Sequence, residues 1–198
     1  MQNLNIDIET YSGEDIQRAG AYRYALSPDF EVLLFAYSAD NGPVEVIDFK
    51  QGGTLPPDIL QALFDPSVTK HAYNAAFEWW CLSRHFRLGT EYSMTPEEWL
   101  PQWRCTMLHG LYCGYTAGLG ATGEALGLPQ DRRKLSTGSA LIRTFCVPCK
   151  PNKSNGGRTR TLPRHEPEKW ALFQEYCRQD VVTEQEIGRR LSAFPVPD

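Results

Sequence analysis

The chain has 198 residues, of which 41% are hydrophobic and 22% charged, and its formal net charge is −4. This composition is typical of a globular protein and predicts one domain over residues 1–198 with a sizeable core. The acidic balance argues against a generally basic coat for nucleic acid. The opening MQNLNIDIET has no basic leader, and no stretch reaches the roughly 18 apolar residues of a membrane span. We therefore expect a cytoplasmic protein with no membrane partner.

Six cysteines stand among apolar neighbours, which predicts reduced and mostly buried thiols. They are Cys81, Cys105, Cys113, Cys146, Cys149 and Cys177. Cys146 and Cys149 form a single Cys-X-X-Cys pair, and a four-ligand zinc site needs a second pair at a matching spacing. Structural zinc is therefore disfavoured, and the sequence leaves the role of this pair open.

The N-terminal half has the alternation and turn signals of strands. The first strand is predicted at LNIDIETYS (4–12), followed by a loop containing SGEDI and a turn at SPD. FEVLLFAYSAD and PVEVIDF then predict two further strands across the turn signal DNGP, so these three strands form a meander. PPDILQALFD predicts a short helix, VTKHAYN a fourth strand, and AAFEWWCLSRHF the helix that follows it.

The C-terminal half is predominantly helical in pattern. WRCT predicts a short fifth strand that opens into the helix MLHGLYCGY, and further helices are predicted at GLGATGEALGL, TGSALIRTF and residues 166–191. The segment CVPCKPNKSNGGRTRTLPRH between the last two helices predicts a mobile surface loop. These elements predict an α/β fold, a mixed five-stranded sheet flanked by helices with a helical C-terminal half.

Half of the 20 lysines and arginines lie between Asp131 and Lys169. A local basic patch of this kind can attract phosphates although the whole chain is acidic. The alternative is a solvated linker. The basic residues are Arg132, Arg133, Lys134, Arg143, Lys150, Lys153, Arg158, Arg160, Arg164 and Lys169.

Acidic residues recur at positions that can bring them together. Asp7 and Glu9 share one face of the first strand, where the simple explanation is a solvent-exposed face and the functional one is a metal site. Glu78 stands four residues after Asn74, where the chain leaves a strand and begins a helix. Tyr176 and Asp180 lie at i and i+4 on one face of the last helix.

These motifs together resemble the DEDD superfamily of 3′-5′ exonucleases, in the branch whose third motif carries tyrosine. Asp7-Ile8-Glu9 matches the first motif, Asn74-Ala75-Ala76-Phe77-Glu78 the second, and Tyr176-Cys177-Arg178-Gln179-Asp180 the third. The one departure is Glu78, where the wider family has aspartate. The resemblance covers nearly the whole chain and implies a ribonuclease H-like fold.

Four segments narrow the resemblance to the N-terminal proofreading domain of phage and prophage family A DNA polymerases. They are HAYNAAFEWW, GLGATGEALGL, GSALIRTFCVP and EYCRQDV, and the closing SAFPVPD resembles the junction to the polymerising part. The resemblance implies a fused or associated DNA polymerase in a bacterial or phage-infected cell. It leaves open whether the chain is an excised domain or a stand-alone relative.

The resemblance also implies roles for the motif residues. It implies two Mg²⁺ or Mn²⁺ ions, with Asp7 as a ligand of both. Glu9 and Asp180 are expected to complete the coordination of the first ion, and Glu78 to support the second. Tyr176 orients the attacking water, and its alternative role is that of a core aromatic. For Glu78 the alternative is a solvated first-turn acid that stabilises a helix N-terminus. All-oxygen ligands favour Mg²⁺ or Mn²⁺ over zinc.

The expected substrate is the 3′ end of a single DNA strand, since single strands bind to aromatic rings beside basic grooves. The candidate contacts are Thr10, Asn74, Phe77, Met107, Arg158 and Arg160. Two alternatives stay open. One is an exoribonuclease or oligonucleotide scavenger on the same fold, and the other is a non-catalytic nucleic-acid-binding module in which Glu78 has spoiled the second metal position.

Overall fold

The fold is built on one mixed sheet. The structure, a computed structural model, describes residues 1–196. Its five strands lie in the order β3-β2-β1-β4-β5, with β1 antiparallel to β2, β2 antiparallel to β3, and β1, β4 and β5 mutually parallel. The strands are β1 (Asn3–Tyr11), β2 (Glu31–Ala39), β3 (Glu45–Asp48), β4 (Thr69–Ala72) and β5 (Trp103–Cys105). The predicted meander and five-stranded mixed sheet are confirmed.

Helices cover both faces of this sheet, and every element after β5 in the described part of the chain is helical. The predicted helical C-terminal half is therefore confirmed. The helices are α1 (Ile16–Leu26), α2 (Pro57–Phe64), α3 (Ala75–His85), α4 (Pro96–Trp99), α5 (Thr106–Tyr112), α6 (Leu119–Ala125), α7 (Gly138–Phe145) and α8 (Pro167–Leu191).

Strand β1 separates two cores because its side chains alternate between the faces. Leu4, Ile6 and Ile8 pack into a core that includes residues of α1, α2 and α3. On the other face, α8 packs across β1 and β2, and its Phe173 and Val181 join a second core. The face of β1 that carries Asn5, Asp7 and Glu9 is therefore covered by a 25-residue helix.

Two helices were not expected from the sequence. The loop predicted around SGEDI contains α1, which Asp15 caps by accepting a hydrogen bond from Gln17 N. The sequence of α1 carries only a weak helix signal, because the helix is barely amphipathic and because Gly20, at φ 74°, interrupts the helical geometry. The short helix α4 begins with a capping box between Thr95 and Glu98.

No helix in the described part is long and apolar enough to cross a membrane. The segment SAFPVPD, which resembles a polymerase junction, is described as far as Val196. Residues 197 and 198 of that segment lie outside the described range.

Candidate metal centre

The first-motif acids lie on the covered face of β1. Glu9 is buried and Asp7 is partly buried, so the simple explanation of a solvent-exposed face does not hold for them. The pairing with β2 shifts register between Glu9 and Thr10, directly after the two acids. Such a bulge changes the local twist of a strand and often adjoins a functional site.

The second-motif acid stands in the first turn of α3, after β4. Glu78 is only 4% exposed, which excludes a solvated first-turn acid. Its Oε2 atom is buried and has no hydrogen-bond partner among the described residues. The charge of Asp7 is one cause of its raised pKa, after burial itself. Glu78 is thus directed into the protein, near the first-motif acids.

The third-motif residues approach from α8. Tyr176 and Asp180 are both buried on the helix face that meets β1. The ammonium of Lys134 donates one hydrogen bond to the Tyr176 hydroxyl, at 2.5 Å, and another to Asp180 Oδ2. Gly138 lies against the Tyr176 ring so closely that a β-carbon there would overlap it. Lys134 and Gly138 together fix the tyrosine from the segment before and at the start of α7.

Burial raises the pKa of every acid in this group. The pKa of Asp7 is raised well above its ordinary value by burial and then by the charge of Asp180, with Lys134 opposing. Burial and the charge of Asp7 likewise raise the pKa of Glu9. The pKa of Asp180 is raised by burial and lowered by Lys134. Gathering these carboxyls without a compensating cation is unfavourable, which is the electrostatic signature of a cation site.

The donor set can hold a hard dication. Oxygen atoms of Asp7 and Glu9 and the Cys177 sulphur lie within 4.8 Å of one another, the one such cluster found among residues 1–196. Asp180 and Glu78 are outside that cluster. Asp180 Oδ2 accepts a hydrogen bond from Lys134, and Asp180 Oδ1 is buried without a partner. The unpartnered buried oxygens of Glu78 and Asp180, whose charges act on Glu9, fit a divalent ion bound through oxygen.

A fifth acid, Glu184, was missed in the sequence. It is buried one turn after Asp180 and accepts hydrogen bonds from Asn5 Nδ2, at 2.7 Å, and from the Thr106 hydroxyl. It therefore ties α8 to β1 and to the start of α5. The spacing of four from Tyr176 to Asp180 to Glu184 was the available signal, because it places all three on one helix face.

The residues predicted to contact nucleic acid lie in different parts of the structure and differ in their exposure. Asn74 is exposed and Met107 is partly buried, and both line a cavity of about 1250 Å³ that also reaches Glu184. Thr10 points to the opposite face of β1, where its hydroxyl is 2.8 Å from that of Tyr24. Phe77 is partly buried, with its ring centroid 6.1 Å from that of Tyr24.

The two predicted loop arginines have partners within the protein. Arg160 pairs with Glu31 at 2.6 Å and stacks over Tyr11, with its guanidinium carbon 3.6 Å from the ring centroid. Arg158 lies 4.0 Å from Glu166. These contacts anchor part of the loop that the sequence predicted to be mobile. The partners of Arg160 are distant in the chain, so its contacts could not be predicted from the sequence.

Comparison with known proteins gives one relative and a set of similar structures. A DNA polymerase of Bacillus phage SP02 is 48% identical over 194 residues, which are 98% of this chain and 28% of the polymerase. The chain thus spans little more than a quarter of that relative. No family model matches.

Among solved structures, one described as the apo form of a nuclease has a TM-score of 0.52 at 17% identity. The match covers 97% of this chain and 72% of that one. A structure of Brucella melitensis NrnC bound to pGG has a TM-score of 0.48 at 16% identity and covers 98% and 72%. With the observed sheet order, the first likeness shows a ribonuclease H-like fold.

The Glu184 network gives a stability prediction. We expect Glu184→Ala to lower the free energy of unfolding by about 2–4 kcal/mol, because it leaves buried donors of Asn5 and Thr106 without an acceptor. Glu184→Gln should cost less than half as much, because an amide keeps one acceptor and the Thr106 hydroxyl can turn to accept.

Urea denaturation of the two variants measures the difference. Glu175→Ala is the matched control on the same helix, since Glu175 is exposed and lies 3.4 Å from its partner Arg178. That change should cost about 1 kcal/mol or less. Equal losses for the alanine and glutamine variants would contradict a hydrogen-bonding role and point to the charge of Glu184 instead.

Proposed function

We propose that the protein is a metal-dependent 3′-5′ exonuclease that removes nucleotides from the 3′ end of single-stranded DNA. The observation that carries this proposal is that the charges of Asp7, Glu78 and Asp180 all act on the buried Glu9, while buried carboxylate oxygens of Glu78 and Asp180 have no partner among the described residues. The identity to a phage DNA polymerase over nearly the whole chain supports DNA as the substrate.

The proposed ligands are the motif acids. Asp7, Glu9, Glu78 and Asp180 would hold two Mg²⁺ or Mn²⁺ ions, Asp7 with Glu9 and Asp180 at the first and Glu78 at the second. When bound, such a pair activates a water molecule and stabilises the charge on the departing 3′ oxygen. The chain's own contribution is to hold four carboxylates rigidly on β1, α3 and α8, so that little rearrangement is needed during the reaction.

Tyr176 serves as a positioning group for the attacking water. Burial and the charge of Asp180 raise its pKa well above the ordinary value, so the side chain remains a neutral phenol at working pH. A phenol of that kind is a poor base but can direct a water molecule by a hydrogen bond. Lys134 on one side and Gly138 on the other keep the hydroxyl in place.

The strand's 3′ end is proposed to enter beside Asn74 and Met107, which line the cavity that reaches Glu184. The four motif acids do not line this cavity, and Asn74 lies four residues before Glu78 in the chain. Phe77 is only partly buried and is proposed to stack on the terminal base. The side chain of Arg158 is 29% exposed and that of Arg160 is 22% exposed, although both pair with acids of the protein. Each is therefore proposed to contact the phosphate backbone. Thr10 is proposed to act only indirectly, through its hydrogen bond with Tyr24.

The biological role that fits is proofreading. The similarity to a polymerase that is much longer than this chain supports a DNA polymerase, fused or associated, as the partner. The activity would then operate in the cytoplasm of a bacterial or phage-infected cell, where a mispaired 3′ end frays into a single strand.

Asp7→Ala should abolish mononucleotide release, because it removes the carboxylate that is central to the proposed metal site. The assay uses a single-stranded DNA labelled so that 3′ products are resolved, with Mg²⁺ or Mn²⁺ and with chelator. Asp58→Ala, at an exposed position of α2, is the matched control and should retain wild-type rates. Undiminished hydrolysis by the Asp7 variant would reject the site, and faster hydrolysis of a matched RNA would reject DNA as the preferred substrate.

The second candidate is a non-catalytic nucleic-acid-binding module, which the glutamate at position 78 favours. The two candidates differ in the effect of Glu78→Asp. If the natural glutamate is the working ligand, the shorter side chain should lower turnover roughly 10- to 100-fold, because its oxygen no longer reaches the same position.

The control is Glu78→Gln, which keeps the length of the side chain without its charge and should be at least as damaging. Both are measured in the same nucleotide-release assay. If wild type is inactive and Glu78→Asp gains a large rate of nucleotide release, the natural protein is instead a non-catalytic binding module.

A further inference from the structure

Lys134 is the cation that reaches the acidic centre. Its ammonium bonds to Asp180 Oδ2 and to the Tyr176 hydroxyl, and it lies 4.4 Å from the centroid of the tyrosine ring. Among the ion pairs of residues 1–196, the Lys134–Asp180 pair is the one that involves an acid of the three motifs. Lys134 belongs to none of those motifs and lies on the segment that precedes α7.

The position of Lys134 makes it a competitor for a ligand atom. Asp180 offers two oxygens, and Lys134 bonds one of them while the other is buried without a partner. A dication held by Asp7 and Asp180 would meet a like charge beside Asp180, which weakens its binding. The Asp180 side chain is only 7% exposed, so water screens this repulsion weakly.

Lys134 can also leave Asp180 without leaving the site. Its side chain is 29% exposed, so the ammonium has a path towards solvent. The Tyr176 hydroxyl is a second acceptor within reach, at 2.5 Å. A small displacement of the ammonium therefore frees Asp180 Oδ2 and keeps the bond that holds the tyrosine.

We propose that Lys134 is an internal counter-ion that competes with the divalent metal ion for Asp180 and, when the metal binds, gives up Asp180 but keeps its bond to Tyr176. This inference rests on the proposed function, because it assumes a dication among the motif acids. It makes Lys134 a positioning residue with two opposite effects, since it weakens metal binding but holds the tyrosine hydroxyl that directs water.

The direct test is Mn²⁺ binding followed by the electron paramagnetic resonance of the free ion, without substrate. Lys134→Met should bind Mn²⁺ about 5- to 10-fold more tightly than wild type, because the competing charge is gone. Lys134→Arg should stay close to wild type. Lys153→Met, exposed on the loop before α8, removes the same charge far from the acids and should not change the affinity.

A second readout separates this role from a merely structural one. At saturating Mn²⁺, Lys134→Met should turn over more slowly than wild type although it binds the ion more tightly, because Tyr176 has lost its partner. Loss of a structural residue would weaken both. Circular dichroism checks that the variant is folded, and Lys134→Gln replaces it if the methionine variant is not.

The outcomes distinguish this inference from the proposed function. Suppose that wild type binds Mn²⁺, that Asp7→Ala loses this binding, and that wild type releases no nucleotides. The exonuclease proposal then fails, whereas tighter Mn²⁺ binding by Lys134→Met still supports the counter-ion role. If Lys134→Met binds Mn²⁺ equally or more weakly, the counter-ion is rejected whatever the activity. If wild type shows no Asp7-dependent Mn²⁺ binding, both are overturned.

Discussion

The packing of α8 across β1 is the constraint on which the rest of the structure depends. It brings Asp180 and Glu184 against a strand face that already carries Asp7 and Glu9, so that buried carboxyls from distant parts of the chain oppose one another. Apolar contacts of Phe173 and Val181 with the sheet hold the helix there. The protein thus uses the hydrophobic effect to keep together charges that repel one another.

The two buried carboxylates of α8, Asp180 and Glu184, are stabilised in different ways. At Glu184 the carboxylate is satisfied by Asn5 and Thr106, which makes this end of the helix a structural anchor. At Asp180 the carboxylate is satisfied on one side only, by Lys134. An anchored acid next to an acid with a free oxygen is the arrangement expected where a site must stay fixed and still bind an ion.

The sequence predicted the sheet, most helices and the motif acids, because each of these depends on local signals. Alternation along β1, the proline at the start of α8 and the spacing from Tyr176 to Asp180 are visible without a fold. The helix α1 was missed because Gly20 interrupts a weakly amphipathic pattern.

Lys134 and Arg160 could not be assigned from the sequence alone. Both belong to a basic stretch that reads as a phosphate-binding patch, and their partners Asp180 and Glu31 are 46 and 129 residues away in the chain. Tertiary packing alone decides that Lys134 pairs with Asp180 while Arg160 pairs with Glu31 and stacks on Tyr11. Glu184 is the residue that a closer reading of helical spacing could have found.

The most direct test of the account is a crystal structure of the protein grown with Mn²⁺, with the ions located by their anomalous scattering. The account predicts two peaks in contact with the Asp7 carboxylate, one of them also bound by Glu9 and Asp180 and the other on the side of Glu78. Well-ordered carboxylates with no anomalous peak between them, in crystals that bind manganese elsewhere, would contradict it.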